Sequence, residues 1–282
     1  MSKVALVTDS TACIPKDLMQ KYQISVAPQV LVWGEETFLD GVDIQPDEYY
    51  IRLRNSKIMP TTSQASPQSF NDIYSHLLEE GYEVLTILLS AQLSGTLISA
   101  QQALENFPGA PVEIIDSYTV AMAMGFQVLA AARAAEQGAN LAECKAIAEQ
   151  ARQKTGVIFA VDTLEFLHRG GRIGGGARLL GTALNLKPIF EISGGQVEPV
   201  EKVRTRKKSI SRLLELIDER IDGKQPIRLA TLHADSPQEA CQIMELVNSR
   251  FEAVESLFTV VSPVVGTHAG PGTVGVAYMA GM

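Results

Sequence analysis

Val84-Leu85-Thr86-Ile87-Leu88-Leu89, followed by Ser90-Ala91-Gln92-Leu93-Ser94-Gly95-Thr96, decides the reading of this 282-residue chain. An apolar run of strand length that passes into small polar residues and then into helix-forming sequence is the pattern of a parallel strand buried on both faces. The helix expected from about Thr96 to Asn106 starts at the carboxyl end of that strand, where open α/β sheets hold their ligands. Its unpaired N–H groups and dipole favour an anion. Ser90 or Ser94 serves equally as a plain helix N-cap, so geometry alone leaves both roles open.

Outward from this segment the first half alternates strand and helix. Strands are expected at Val4–Thr8, Ile24–Trp33, Val84–Leu89 and Val112–Ile115. Helices are expected at Ile14–Tyr22, at Asp43–Arg54 with Pro46 near its start, after Ser66-Pro67, at Thr96–Asn106, from an Asp116-Ser117 cap to about Gln137, and at Leu141–Lys154. That βαβα order implies a parallel sheet with helices on both faces. The second half reads differently. Strands are expected at Val157–Val161, Lys187–Ile192, Val197–Val203, Ile227–Leu232, Leu257–Val265 and Val274–Met279, with a hairpin at Ser193-Gly194-Gly195-Gln196. Helices fall at Gly174–Leu184, Lys207–Ile221 and Pro237–Val247. The fold class is therefore an N-terminal parallel α/β sheet domain, residues 1–155, and a C-terminal α+β domain, residues 156–282, divided near Thr155-Gly156.

Composition narrows the function. A net charge of −8 argues against a nucleic-acid or anionic-membrane surface, so no nucleic-acid partner is expected. No apolar run approaches the ~18 residues of a membrane span. Met1-Ser2-Lys3-Val4 enters a strand-like run at once, so no signal peptide is expected. The three cysteines, Cys13, Cys144 and Cys241, form no CxxC pair and read as reduced thiols of a cytoplasmic protein. No HExxH or Cys/His ligand spacing suggests a metal, and no cofactor is expected.

Two further segments share the hydroxyl-rich, carboxylate-free character of Ser90–Thr96. They are Thr61-Thr62-Ser63-Gln64-Ala65-Ser66 and Gly266-Thr267-His268-Ala269-Gly270-Pro271-Gly272, the latter after an apolar, strand-like run. Hydroxyls and N–H groups converging at strand ends suit an anion and suit general acid–base chemistry poorly. Ser66 and Pro67 also read as a helix cap. Gly270–Gly275 matches GxGxxG formally, but it lies too near the C-terminus for a βαβ unit. His268 reads as a buried donor or as a structural histidine. Gly170-Gly171-Arg172-Ile173-Gly174 lacks a P-loop ending and reads as a flexible loop or hinge. The basic run Arg204-Thr205-Arg206-Lys207-Lys208 reads as a solvated face or an anion or partner site, with Arg204 facing the cleft and the other three basic residues toward solvent. A Ser/His hydrolase or acyltransferase using Ser94 is the competing reading. It lacks the GxSxG elbow, since Gln92 stands where glycine is needed.

Taken together these residues resemble the DegV family of bacterial fatty-acid-binding proteins. The resemblance runs along essentially the whole chain, residues 3–280, through Val7-Thr8-Asp9-Ser10-Thr11, Thr62-Ser63-Gln64, Leu93-Ser94-Gly95-Thr96, Gly170-Gly171-Arg172-Ile173, Lys187-Pro188 and His268-Ala269-Gly270-Pro271-Gly272. Ala65 replaces the family's usual proline, Ala91 stands where a second serine is frequent, and Leu97 where tyrosine is common. The resemblance implies one long-chain fatty acid, such as palmitate, buried between the two domains. It implies that Thr62 and Ser94 hold the carboxyl group, with Gly95, Thr267 and His268 as secondary contacts. It also implies a non-catalytic carrier in lipid transport or fatty-acid metabolism, one that presents the carboxyl group to a separate fatty-acid kinase.

Overall fold

The computed structural model describes residues 3–179 and 186–282. The first half runs β1 (Lys3–Asp9), α1 (Lys16–Lys21), β2 (Ser25–Ala27), β3 (Val30–Trp33), β4 (Glu36–Leu39), α2 (Pro46–Asn55), β5 (Thr61–Ser63), α3 (Pro67–Glu79), β6 (Tyr82–Leu88), α4 (Thr96–Leu104), β7 (Val112–Asp116), α5 (Ala121–Glu136) and α6 (Leu141–Arg152). β2, β1, β6 and β7 lie side by side in that order, each pair parallel. The apolar run of β6 is explained by burial on both faces. Val84 and Leu88 pack with α3 and α4, while Leu85 and Ile87 point the other way, into a core shared with α5 and α6.

The second half runs β8 (Thr155–Ala160), α7 (Glu165–Arg169), a 3-10 turn at Gly174–Leu179, β9 (Lys187–Ser193), β10 (Gln196–Val203), α8 (Arg206–Ile221), β11 (Ile227–His233), α9 (Pro237–Arg250), β12 (Glu255–Val260), α10 (Pro263–Ala269) and β13 (Val274–Ala280). Its strands form one sheet, β10-β9-β8-β13-β11-β12, antiparallel except between β11 and β12. Gly194 and Gly195, at φ 56° and 83°, supply the two left-handed positions of the tight β9–β10 turn. α8 and α9 cover one face of this sheet. The other face, through Val157, Leu232 and Ala277, joins the core around α5. α5 is thus wedged between two sheets, touching β1 and β6 on one side and β8 and β13 on the other. A helix apolar all round is what such a position needs, and its many alanines let both sheets approach closely.

Four expectations are corrected. The run Ile24–Trp33 is two strands, because Pro28 has no N–H to carry a ladder. β2 stays in the parallel sheet, and β3 joins β4 and β5 in a separate three-stranded antiparallel sheet. The run Leu257–Val265 ends as strand at Val260. Ser262 then caps α10, accepting from the Val265 N–H at 3.4 Å, and Pro263 takes the first helical position. Asp116 and Ser117 do not cap α5. Their side chains accept from Tyr118 and Thr119 N–H in a local turn, and α5 starts at Ala121 without a side-chain cap. Of the helix expected at Gly174–Leu184, the 3-10 turn covers Gly174–Leu179, and positions 180–184 lie outside the described residues.

Candidate functional site

A cavity lies between the loops at the carboxyl ends of the parallel strands and the six-stranded sheet, and is roofed by α10. It holds about 940 Å³ of atom-free space, counting its open mouth. Leu89, Val120, Val157, Phe159, Leu232 and Val264 are representative of its mostly apolar wall. Its polar lining includes Thr62, Ser94, Arg172 and His268, and no carboxylate is among its described lining residues. A second, polar hollow of about 810 Å³ shares Leu93, Ser94, Arg172 and Val197 with it and opens outward past Gln92, Gly95 and Gln196.

The polar cluster is assembled from four elements. β5 pairs with β3 through Leu31 and Thr62, and the Thr62 hydroxyl is hydrogen-bonded to His268 Nε2 at 2.7 Å. His268 reaches it from the last turn of α10. Burial, helped by the positive charge of Arg172, pushes the imidazole down to about 4, so it is neutral at physiological pH. Ser94 closes the turn after β6, its N–H donating to the Ser90 carbonyl at 3.2 Å. Its hydroxyl lies 2.9 Å from Thr96 Oγ1 and accepts from the Thr96 N–H at 3.3 Å. Arg172 is clamped to the same turn: Nε donates to the Leu93 carbonyl at 3.1 Å and a terminal nitrogen to the Gly170 carbonyl at 2.8 Å. Those two bonds leave guanidinium hydrogens for an anion.

The other sequence candidates fall elsewhere. Gly95 lines the outer hollow, not the cavity. Its backbone lies so close to the Gln64 carboxamide that a Cβ would sit 2.1 Å from Oε1, so any larger residue would have to displace that carboxamide. Thr267 is buried on the opposite flank of α10 from the cavity. Its hydroxyl donates to the Pro263 carbonyl at 2.9 Å and lies 2.9 Å from the Tyr49 hydroxyl, so no contact is left for a ligand. Arg204 is exposed and lines neither hollow, whereas Arg206, expected toward solvent, is partly buried. Arg206 forms a bidentate pair with Glu239 and donates to the Ala160 and Gly272 carbonyls. The cation that the site does contain, Arg172, was read as part of a hinge. Its signal was a lone guanidinium inside a glycine-rich loop, which sequence alone cannot aim.

The arrangement suits holding an anionic head group more than performing hydrolysis. Ser94 is bonded to Thr96 and not to a histidine, and His268 Nε2 is engaged by Thr62. An imidazole titrating near 4 is also a weak base at neutral pH. Among the described residues no group of His, Cys, Asp or Glu is placed to hold a metal ion, and no helix is long and apolar enough to cross a membrane.

Comparison with known proteins places these features in company. The family model described as "Uncharacterised protein, DegV family COG1307" matches residues 3–281. A DegV domain-containing protein of Streptomyces coelicolor is 38% identical over 97% of this chain and 97% of its own length. The solved structure of a fatty-acid-binding DegV family protein from Thermus thermophilus superposes with a TM-score of 0.92 at 35% identity, covering 99% of each chain. DegV of Bacillus subtilis, described as a fatty acid binding protein, gives 0.91 at 33% identity over 99% of this chain and 100% of that one.

Proposed function

The chain belongs to the DegV family, and from that premise we propose that it binds one long-chain fatty acid in this cavity and acts as a carrier. The observation that carries this reading is the distribution of polarity. The wall is mostly apolar, and its polar groups include Thr62 and the neutral His268 together with Ser94 and Arg172, the last two of which also line the outer hollow. Burying ~15 methylene groups contributes roughly 12 kcal/mol before association costs. An unpaired carboxylate would cancel much of that, and the donor cluster prevents it. The relatives described as fatty-acid-binding share this fold over nearly their whole length.

In this reading Thr62 and Ser94 hold the carboxyl group, Arg172 supplies charge and His268 a neutral hydrogen-bonding group. The domain division falls at the start of β8. The outer hollow gives a separate kinase access to the carboxyl group, so the protein presents its ligand without transforming it. The unpaired cysteines suit a reducing, cytoplasmic setting. The test is denaturing extraction of purified protein followed by mass spectrometry, with one long-chain fatty acid per chain expected. Its repeated absence, together with no uptake of added palmitate or oleate, overturns the reading.

A further inference from the structure

Beneath Ser94 lies a buried chain of hydrogen bonds whose direction can be assigned. Gln29, 2% exposed, sits between β2 and β3 with its carboxamide against three groups. Its Oε1 accepts from the Ala65 N–H at 3.1 Å. Near it is the Asp9 carboxylate, whose charged form Gln29 helps to favour and whose oxygens accept from Thr11 and the Leu89 N–H. The third neighbour is the Thr96 hydroxyl, 2.9 Å from Nε2 and 3.1 Å from Oε1. Thr96 Oγ1 in turn lies 2.9 Å from Ser94 Oγ.

We infer that Gln29 is a positioning residue that, through Thr96, makes the Ser94 hydroxyl a donor into the cavity. The assignment runs from the fixed groups outward. An N–H can be met only by the amide oxygen, so Ala65 orients Oε1. With Oε1 so fixed, Nε2 donates to Thr96 Oγ1 at 2.9 Å. The Thr96 hydroxyl hydrogen has two acceptors in reach, Gln29 Oε1 at 3.1 Å and Ser94 Oγ at 2.9 Å, and it goes to the nearer, Ser94 Oγ, which also accepts the Thr96 N–H at 3.3 Å. With two donors arriving at its oxygen, Ser94 has its own hydrogen left for the cavity. Bonds aligned head to tail in a buried site polarise one another, and this chain points at the place assigned to the carboxylate. The reverse orientation would have Ser94 donate to Thr96 and turn a lone pair toward an anion. The inference rests on the head-group placement proposed above.

Thr96→Val and Thr96→Ser decide it, since both nearly conserve volume and only serine keeps the hydroxyl. Palmitate affinity is measured by titration calorimetry on the lipid-stripped full chain, with a thermal melt of each variant to confirm folding. Thr96→Val and Gln29→Met should each lose about tenfold or more in affinity, as expected for a lost bond to a charged group. Thr96→Ser should stay within about threefold of wild type. In a Ser94→Ala background Thr96→Val should cost less than about threefold further, because its effect passes through that hydroxyl. If Gln29→Met fails to fold, the Thr96 pair and its cycle with Ser94 carry the test. A full, additive loss on top of Ser94→Ala, or an equal loss in Thr96→Ser, overturns the relay and leaves the head-group placement standing. Wild-type affinity in Ser94→Ala overturns both.

Discussion

At the residue scale the head-group site separates side chains that touch the ligand from those that hold them. Thr62→Ala and Ser94→Ala should each weaken fatty-acid binding about 10- to 150-fold, the worth of a hydrogen bond to a charged group. The double variant should lose less than the product if, as proposed, both hydroxyls hold one carboxyl group. Titration of the stripped protein checks this, and wild-type affinity in the double variant would show the head group to lie elsewhere. His268 gives a pH signature of its own. Its pKa in the fold, about 4, is below the ordinary 6.5, so the unfolded chain binds the proton more tightly. Stability from this group therefore rises with pH between about 4 and 6.5 and is flat above. Asp40 acts in the opposite sense: burial pushes its carboxyl up to about 7, so its contribution falls as pH rises toward that value. Urea midpoints against pH should show the His268 slope vanish in His268→Gln while the Asp40 slope remains. Sequence singled out Thr62, Ser94 and His268 because their short segments are hydroxyl-rich and free of carboxylates, and the fold places all three on the cavity wall. Arg172 and Gln29 were not legible, because a single arginine in a loop and a single glutamine between strands carry no directional signal until the chain folds.

At the element scale the most instructive segment is the first turn of α8. Sequence shows five residues, four of them basic, and points to Arg204, at the end of a strand, as the one that turns inward. The fold singles out Arg206, which ties α8 to Glu239 on α9 and to the Ala160 and Gly272 carbonyls at the ends of β8 and before β13. Arg206→Ala should cost about 1–3 kcal/mol of stability, since bonds from a charged donor to partly buried acceptors are lost. Lys207→Ala and Lys208→Ala, both exposed, should fall within ~0.5 kcal/mol. Chemical denaturation of the three variants is the measurement, and equal effects would mean that the α8 anchor contributes nothing. The same scale shows why α10 was misread. Leu257–Val265 is apolar throughout, and a short apolar run does not declare its period. The deciding signal was Ser262-Pro263, a cap and a first-turn proline inside the run.

At the scale of the whole molecule, the two large sheets were legible and the small one was not. Long apolar strands separated by amphipathic helices have a clear period, and the Ser193–Gln196 turn fixes a hairpin. β3, β4 and β5 have only three or four residues each, too few to show alternation, yet together they deliver Thr62 to the site. What the fold achieves is a cavity walled by the six-stranded sheet and by the loops that follow the parallel strands, so both halves line it, with α5 wedged between the two large sheets. A ligand there touches both halves, so its binding free energy is lost only when the halves separate or unfold. At a free concentration 100 times Kd it should add about 2.7 kcal/mol to unfolding. For a chain of this size that corresponds to a rise in Tm of roughly 4–6 °C. Calorimetry of stripped and palmitate-loaded protein should show one transition that moves upward as a unit, because the α5 core joins the halves. Thr62→Ala combined with Ser94→Ala should shrink the shift at the same palmitate concentration. Two transitions, only one of them moved by palmitate, would place the ligand within a single half and contradict a site shared between the halves.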